Sequence, residues 1–269
     1  MSATNPTANF ASIVYGPLGV SSDDPAETFH EASRLYPSLA PLRLDVLAEL
    51  AEGGELSETT ARSARVHDHR PTVVLPPGTR LRGTLEDAIR RRRSRKATSS
   101  RPLRLHELAA LLVSSYSAVS EREGPRRPVP SAGALYPLEI YVAALAVNGL
   151  ERGMYHFHPF RRCLSLLGPL PGREAREALV DSSVLDHAGA LLIVTAMFWR
   201  SRLKYGQRGY RFALLEAGHV AQNVVLAAAE LDLHALPLGG FYDRRLDALV
   251  GADGLDEATV YAIAVGGEQ

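Results

Sequence analysis

Residues 130–137 read PSAGALYP and run directly into LEIYVAALAV, residues 138–147. The second segment is rich in branched and aromatic side chains and predicts a buried strand, Leu138–Val147. Small residues just before such a strand let backbone N–H and C=O groups approach a flat ligand closely. The segment Pro130–Pro137 therefore indicates a ligand-facing loop.

Working outward from this segment, further apolar runs predict the other strands of a sheet. These runs cover Met154–Phe157, Cys163–Leu167, Leu191–Phe198 and Val260–Val265. A helix is predicted to begin at Thr84, a good N-cap, and a second to span Leu103–Val113. A long helix from about Arg211 to Leu231 is apolar nearly all round, which favours burial. Helices segregated from strands, without regular βαβ alternation, predict an α+β fold.

The first 75 residues predict a separate, mainly helical extension, residues 1–75, ahead of a larger domain, residues 76–269. Helical spacing is present in Pro25–Tyr36 and Leu42–Glu52, and Ser57 with Thr60 is typical of a third helix start. Three prolines, Pro71, Pro76 and Pro77, close this region.

Composition excludes several classes of protein. The chain has 30 basic and 30 acidic residues, so it has no bulk attraction for nucleic acid or anionic lipid. The single cysteine, Cys163, excludes an internal disulfide and favours a reducing cytoplasm. Residues 1–9 lack the pattern of a secretory signal. The longest apolar run, Ala188–Trp199, is too short to cross a bilayer. We therefore expect a soluble, cytoplasmic protein.

Lysine is scarce in this chain. Only Lys96 and Lys204 occur, so 28 of the 30 basic residues are arginine. A lysine that remains is a candidate for chemistry that arginine cannot perform, because arginine is never deprotonated in proteins. Lys204 lies beside Tyr205 in Arg200–Arg211, a segment predicted to be a loop. The alternative is an ordinary surface lysine.

The densest run of charge is Arg90–Lys96, with six cations and one hydroxyl. If the chain is extended there, Arg92, Ser94 and Lys96 share one side and can satisfy a phosphate. The alternatives are a solvated face or a weak nucleic-acid patch.

Other polar positions allow both a structural and a functional interpretation. Glu216, His219 and Asn223 share one stripe of the long helix and need partners from a loop, a ligand or another chain. The glycines of Pro237–Phe241 permit close backbone approach or form a plain connection. His156 and His158 could ligate a metal, but with no third ligand nearby an exposed strand pair is favoured.

The order of these motifs resembles the nitroreductase superfamily and, more narrowly, its SagB-type branch, the azoline dehydrogenases of thiazole and oxazole peptide biosynthesis. The resemblance covers about Thr84 to Gly267. The motifs that carry it, in chain order, are Arg-x-Ser-x-Lys, PSAGALYP, Lys-Tyr before Arg-Gly-Tyr-Arg, EAGHVAQN, PLGGF and a final Ala264-Val-Gly266.

The resemblance implies an α+β flavoprotein with a mainly antiparallel central sheet flanked by helices. It also implies FMN at the interface of a homodimer, with no metal. Residues matched to the FMN-binding motifs are Arg92, Ser94 and Lys96 for the phosphate, Pro130, Ser131, Ala132 and Gly133 beside the isoalloxazine, and Gln222, Gly239 and Gly240. Lys204 and Tyr205 match the catalytic Lys-Tyr pair.

The function implied is FMN-dependent oxidation of peptide thiazolines or oxazolines to azoles. Lys204, partly neutral through desolvation, is expected to take the proton, with Tyr205 positioning the substrate or sharing that proton. Three alternatives stay open: a nicotinamide-dependent nitro- or quinone reductase, a flavin oxidase forming Cα–Cβ double bonds, and a scaffold without catalysis. The first 75 residues are expected to dock a cyclodehydratase or a leader peptide.

Overall fold

The protein is described here by a computed structural model, which covers residues 25–36, 64–77, 79–99, 101–121 and 124–267. The chain divides into two compact units, Met1–Val46 and Leu47–Gln269. In the first unit, helix α1 spans Pro25–Ala32, within the helix predicted there. The helices predicted at Leu42–Glu52 and from Ser57 lie outside the described residues.

The described part of the second unit has six α-helices and eleven strands. The helices are α2 (Leu85–Arg91), α3 (Leu105–Tyr116), α4 (Gly172–Glu177), α5 (Phe198–Tyr205), α6 (Arg208–Glu230) and α7 (Asp243–Val250). The strands are β1 (Thr72–Val74), β2 (Leu103–Arg104), β3 (Val119–Glu121), β4 (Gly124–Arg126), β5 (Leu138–Ala144), β6 (Val147–Asn148), β7 (Gly153–His158), β8 (Cys163–Gly168), β9 (Ala190–Met197), β10 (Leu233–Leu238) and β11 (Glu257–Gly267).

Seven of these strands form one sheet in the order β1-β8-β7-β5-β9-β11-β10. Every neighbouring pair is antiparallel. Alternate residues of β5 face opposite layers, as the period of a strand requires. Leu138 and Ile140 join the core beneath α3 and α6, whereas Tyr141 and Ala143 join the core beneath α4 and α7. The predicted α+β class with a mainly antiparallel sheet is confirmed.

Most predicted elements are confirmed within a few residues. The Thr84 hydroxyl accepts a hydrogen bond from the Asp87 amide at 3.1 Å, so Thr84 caps α2 as expected. One of the predicted elements is wrong, and strand β10 has no counterpart among them. The segment from Arg200 is not a loop, because α5 spans Phe198–Tyr205. The segment containing Pro237 begins as strand β10, where Pro237 pairs with Ile263 at the edge of the sheet, a position that tolerates proline.

The start of the sheet extends into the region predicted to be a helical extension. Thr72 pairs with Ser165 and Val74 with Cys163, so β1 lies at the sheet edge beside β8. The boundary predicted at residue 75 therefore follows a strand of the second unit. Three strand residues between Pro71 and Pro76 are too few to give a periodic signal.

Helix α6 is the one helix among the described residues that is long and apolar enough to cross a membrane. Half of its most apolar 18-residue stretch, however, is buried in the protein. Ala213, Ala217, Val220 and Val224 lie in the core beneath the sheet. These contacts identify α6 as a core helix.

Helices α5 and α6 pack so closely that a side chain at Gly209 has no room. A Cβ there would lie 2.6 Å from the Ser201 carbonyl carbon and 2.7 Å from its oxygen. Gly209→Ala should therefore lower stability by about 1–3 kcal/mol, measured as a fall in thermal midpoint of several degrees. Gly168→Ala is the matched control, because a Cβ at Gly168 meets nothing within 4 Å. Equal midpoints for the two variants would contradict the packing argument.

Candidate active site

The loop that enters β5 has an unusual backbone. Gly133, Ala134 and Tyr136 all have positive φ, at 60°, 54° and 44°. Positive φ is uncommon outside glycine, and such strain is concentrated at functional sites. The Ser131 hydroxyl accepts a hydrogen bond from the Tyr136 amide at 2.9 Å and closes the turn. The loop predicted at residues 130–137 is therefore a shaped, constrained turn.

Lys204 and Tyr205, at the end of α5, both reach this turn. A Cβ at Gly133 would lie 2.6 Å from Tyr205 Oη and 3.2 Å from Lys204 Nζ, so both functional groups lie against the glycine backbone. The Tyr205 ring packs edge-on against Phe212, 5.0 Å away. Burial raises the pKa of Tyr205, so its hydroxyl keeps its proton and can donate a hydrogen bond. The structure thus brings together the predicted catalytic pair and one of the predicted cofactor loops.

A buried ion pair fixes the position of α5. Arg200 Nη2 donates to Glu139 Oε1 of β5 at 2.7 Å, and its Nη1 donates to the Tyr136 carbonyl at 3.4 Å. Arg200 and Glu139 are only 4% and 2% exposed. Burial alone would raise the pKa of Glu139, but the His156 hydrogen bond and the Arg200 charge hold it at about 2.

The histidine pair on β7 is part of this network, and the prediction that it is exposed is wrong. His156 is fully buried and His158 nearly so. His156 Nε2 lies 2.9 Å from Glu139 Oε2. Sequence spacing could not show this, because the partner carboxylate comes from a neighbouring strand.

On the opposite side of the loop lies a second buried carboxyl, Glu216 of α6. The Tyr116 hydroxyl donates to Glu216 Oε1 at 2.8 Å, and the Ser131 hydroxyl is also hydrogen-bonded to this carboxyl. Burial raises the pKa of Glu216 to about 7 despite these two hydroxyls. Asn223 Nδ2, from the same stripe, donates to the Pro128 carbonyl at 3.2 Å. The loop and helix α3 therefore supply the partners that Glu216 and Asn223 require, whereas His219 is exposed.

The predicted phosphate element is extended after α2, as the period-two argument requires. Ser94 bridges to Ala235 of β10, and Arg92 Nη1 lies 3.3 Å from Ser94 Oγ. Lys96 differs, because its Nζ contacts Asp181 at 2.5 Å and Ser183 at 2.9 Å. The hydrogen bond from Lys96 lowers the pKa of Asp181 to about 2.

The remaining predicted cofactor residues lie around these groups. Gly239 and Gly240 follow β10 and are exposed, and the Val180 amide donates to the Gly240 carbonyl at 3.1 Å. Pro130 is exposed and Ala132 is half-buried. Gln222 is exposed on α6, and no hydrogen bond or ion pair among the described residues joins it to the others.

The donor set fits FMN. Arg92 and Ser94 supply a cation and a hydroxyl on an extended segment, the donors that a phosphate requires. Their strand neighbour β10 leads to Gly239, where a Cβ would meet nothing within 4 Å, so backbone groups are open to a flat ring. The sequence motifs did not include Asp181 or Ser183, which engage Lys96 across 85 and 87 residues of chain.

Comparison with known proteins identifies the family. The model of the nitroreductase family matches residues 89–267, which are 179 of the 269 residues. The chain belongs to the nitroreductase family. The superfamily resemblance expected from the motifs is therefore confirmed.

Individual relatives and solved structures show how far the similarity extends. Protein MJ1384 of Methanocaldococcus jannaschii is 40% identical over 60% of this chain and 81% of its own length. The microcin B17-processing protein McbC of Escherichia coli is 31% identical over 61% of each chain. A chain of the E. coli microcin synthetase McbBCD complex, solved with truncated pro-MccB17 bound, superposes with a TM-score of 0.58. That match covers 88% of this chain and 98% of the other at 22% identity, and it supports the fold.

Removing the buried carboxylate at Glu139 should destabilise the protein strongly. Glu139→Gln leaves the Arg200 charge buried without its counter-charge. The free energy of unfolding, measured with urea at neutral pH, should therefore fall by roughly 3–5 kcal/mol. Because the pKa of Glu139 is lowered to about 2, its contribution is complete above pH about 4.5 and is lost as the pH falls towards 2.

The difference between wild type and Glu139→Gln should therefore shrink in acid. Glu86→Gln is the control, since Glu86 is exposed on α2. A difference that is absent at neutral pH, or that does not change with acid, would contradict this role of the pair.

Proposed function

We propose that this protein is an FMN-dependent dehydrogenase that oxidises thiazolines or oxazolines in a peptide to thiazoles or oxazoles. The observation that carries the proposal is the contact of Lys204 Nζ and Tyr205 Oη with the Gly133 backbone. A general nitro- or quinone reductase with the same fold gives this Lys-Tyr pair no role. The relation to McbC, a protein that processes microcin B17, supports a peptide substrate.

Oxidation of an azoline to an azole removes one proton and one hydride from the ring. Bound FMN supplies the acceptor for the hydride. Lys204 takes the proton at Nζ, and the Tyr205 hydroxyl, which keeps its own proton, donates a hydrogen bond that orients the ring. Arg200 and Glu139 act through α5 by holding both side chains at the turn.

The residues proposed to hold FMN come from three segments. Arg92 and Ser94 bind the phosphate, and the turn from Pro130 to Gly133 supports the ring. Gly239 and Gly240 offer backbone groups at its edge. Lys96, engaged by Asp181, orders the neighbouring turn and adds positive charge near the phosphate. Gln222 is assigned to the cofactor by its motif alone.

The setting of the reaction is also a proposal. We place it in the cytoplasm, in keeping with the single cysteine. Because a chain with this fold was solved within the multi-protein McbBCD complex, a cyclodehydratase is the partner that we favour. The first 75 residues are proposed to dock that partner or the leader peptide.

Lys204→Arg should keep the charge and the bound flavin but lose the base, because arginine does not release its proton. Loss of a general base predicts a fall in turnover of roughly 10²–10⁴-fold. The measurement is loss of two hydrogen atoms, by mass spectrometry, from an azoline-bearing peptide incubated with purified protein.

Arg202→Lys, on the exposed side of the same helix, is the matched control and should retain activity. Full turnover by Lys204→Arg would overturn the role of Lys204. Reduction of nitroarenes with a nicotinamide donor, without azoline oxidation by wild type, would overturn the proposed reaction. A protein that binds no flavin, or whose flavin no substrate reduces, would favour a scaffold.

We also propose a homodimer formed through α5 and α6. Both helices expose large apolar side chains, with Trp199, Leu203, Leu214 and Leu215 between 41% and 61% exposed. Leu214 and Leu215 lie on one stripe with Gly218, and Trp199 and Leu203 are four residues apart. Apolar patches of this kind mark interfaces, and a second copy of the chain is the occupant that we propose.

Leu215→Glu should weaken this dimer at least about tenfold, because it buries an unpaired charge at the interface. Sedimentation velocity over a range of protein concentrations measures the change. Leu255→Glu is the matched control, because Leu255 is 83% exposed and lies outside α5 and α6. Wild type that sediments as a monomer, or equal behaviour of the two variants, would contradict this interface.

A further inference from the structure

Two hydroxyl groups connect Glu216 to the start of β5. The Ser131 hydroxyl accepts from the Tyr136 amide at 2.9 Å, and the Tyr116 hydroxyl accepts from the Leu138 amide at 3.2 Å. Each hydroxyl has a single proton, and both face the Glu216 carboxyl. The two amides lie on either side of Pro137, which has no N–H of its own. One hydroxyl therefore links Glu216 to the amide before Pro137, and the other links it to the amide after Pro137, where the turn leads into β5.

We propose that Glu216 is a positioning residue whose carboxylate form holds the turn at Ser131–Tyr136 against Lys204 and Tyr205 by accepting the protons of both hydroxyls. The inference rests on the proposed function, because it concerns the turn on which the catalytic pair lies. Nothing in the assigned roles of the FMN-binding residues or the Lys-Tyr pair requires an acidic side chain at position 216.

Glu216 holds the turn better as a carboxylate than as a protonated carboxyl. A carboxylate accepts both hydroxyl protons at once, whereas a protonated carboxyl has an O–H of its own that competes for a hydroxyl oxygen. A protonated carboxyl also makes weaker, uncharged hydrogen bonds to the two hydroxyls, and each hydroxyl oxygen then becomes a weaker acceptor for its backbone amide. Protonation of Glu216 therefore loosens the turn that carries Gly133.

The charged groups around Glu216 oppose the effect of burial on its pKa. The guanidinium of Arg127 lies 4.3 Å from the Tyr116 ring centre and 4.7 Å from that of Tyr136. Arg127 and Arg200 both lower the pKa of Glu216, while burial, the larger effect, raises it to about 7. Burial, the largest effect, together with the negative charges of Glu216 and Glu139, raises the pKa of the Tyr116 hydroxyl, which keeps it a donor. Glu216 consequently changes its charge near neutral pH.

Amide hydrogen exchange of Tyr136 and Leu138, read by NMR on the full-length protein, tests the proposal without substrate. From one pH unit below the pKa to one unit above it, the ionised fraction of a carboxyl rises about tenfold. In wild type, the protection of both amides relative to intrinsic rates should rise about tenfold between roughly pH 6 and pH 8. In Glu216→Gln, protection should be low and independent of pH.

Asn223→Ala is the matched control, because Asn223 lies on the same stripe and also contacts the loop, at Pro128, but does not ionise. Its effect should not depend on pH. If Glu216→Gln does not fold, Tyr116→Phe removes one bridge alone, so Leu138 should lose protection while Tyr136 keeps its pH dependence.

Equal protection in wild type and Glu216→Gln, or the same pH dependence in both, would overturn the role of Glu216. So would unchanged protection of Leu138 in Tyr116→Phe. In the presence of an azoline peptide, the wild-type kcat/KM profile should lose its component near pH 7 in Glu216→Gln, whereas the rise with pH that a Lys204 base requires should remain. Absence of turnover in wild type would count against the proposed function alone, because the exchange measurement requires no reaction.

Discussion

The buried ion pair between Arg200 and Glu139 is the constraint on which the candidate site depends. Two charges that are almost wholly removed from water must be paired and hydrogen-bonded, since an unpaired buried charge is strongly unfavourable. The planar guanidinium also reaches the Tyr136 carbonyl, so one side chain links α5, β5 and the turn. Four and five residues further along α5, Lys204 and Tyr205 are thereby directed to Gly133.

The turn lies between two polar networks that approach it from opposite faces of the sheet. Because side chains alternate along β5, Leu138 packs in the layer of α6, the helix that carries Glu216, while Glu139 faces the layer that holds His156. The partners of Glu139 hold its carboxyl ionised, whereas burial raises the pKa of Glu216 to about 7. The turn therefore has one anchor that does not respond to pH in the physiological range and one that does.

Sequence reasoning predicted those parts of the fold that local signals determine. Thr84 has the side chain of a helix cap, and the apolar run from Leu138 is typical of a buried strand. It failed where distant residues decide the structure. Helix α5 is short, rich in arginine and followed by Gly206 and Gly209, so it has little helical signal without the Arg200 partner on β5. His156 was expected to be exposed because its partner Glu139 lies 17 residues away in the chain.

Both lysines of this arginine-rich chain lie among the residues of the candidate site. Both lie at positions that a planar, five-donor guanidinium would occupy differently. Lys204 Nζ lies against the backbone at Gly133 beside Tyr205. Lys96 meets one carboxylate oxygen and one hydroxyl of the turn at Asp181–Ser183, a geometry that a point charge satisfies. Since Val180 of the same turn also binds the Gly240 carbonyl, Lys96 connects the phosphate element to the glycines after β10. The two lysines therefore occupy different parts of the candidate site, Lys204 at the turn proposed to carry out the reaction and Lys96 at the segment that links the proposed phosphate-binding residues to Gly239 and Gly240.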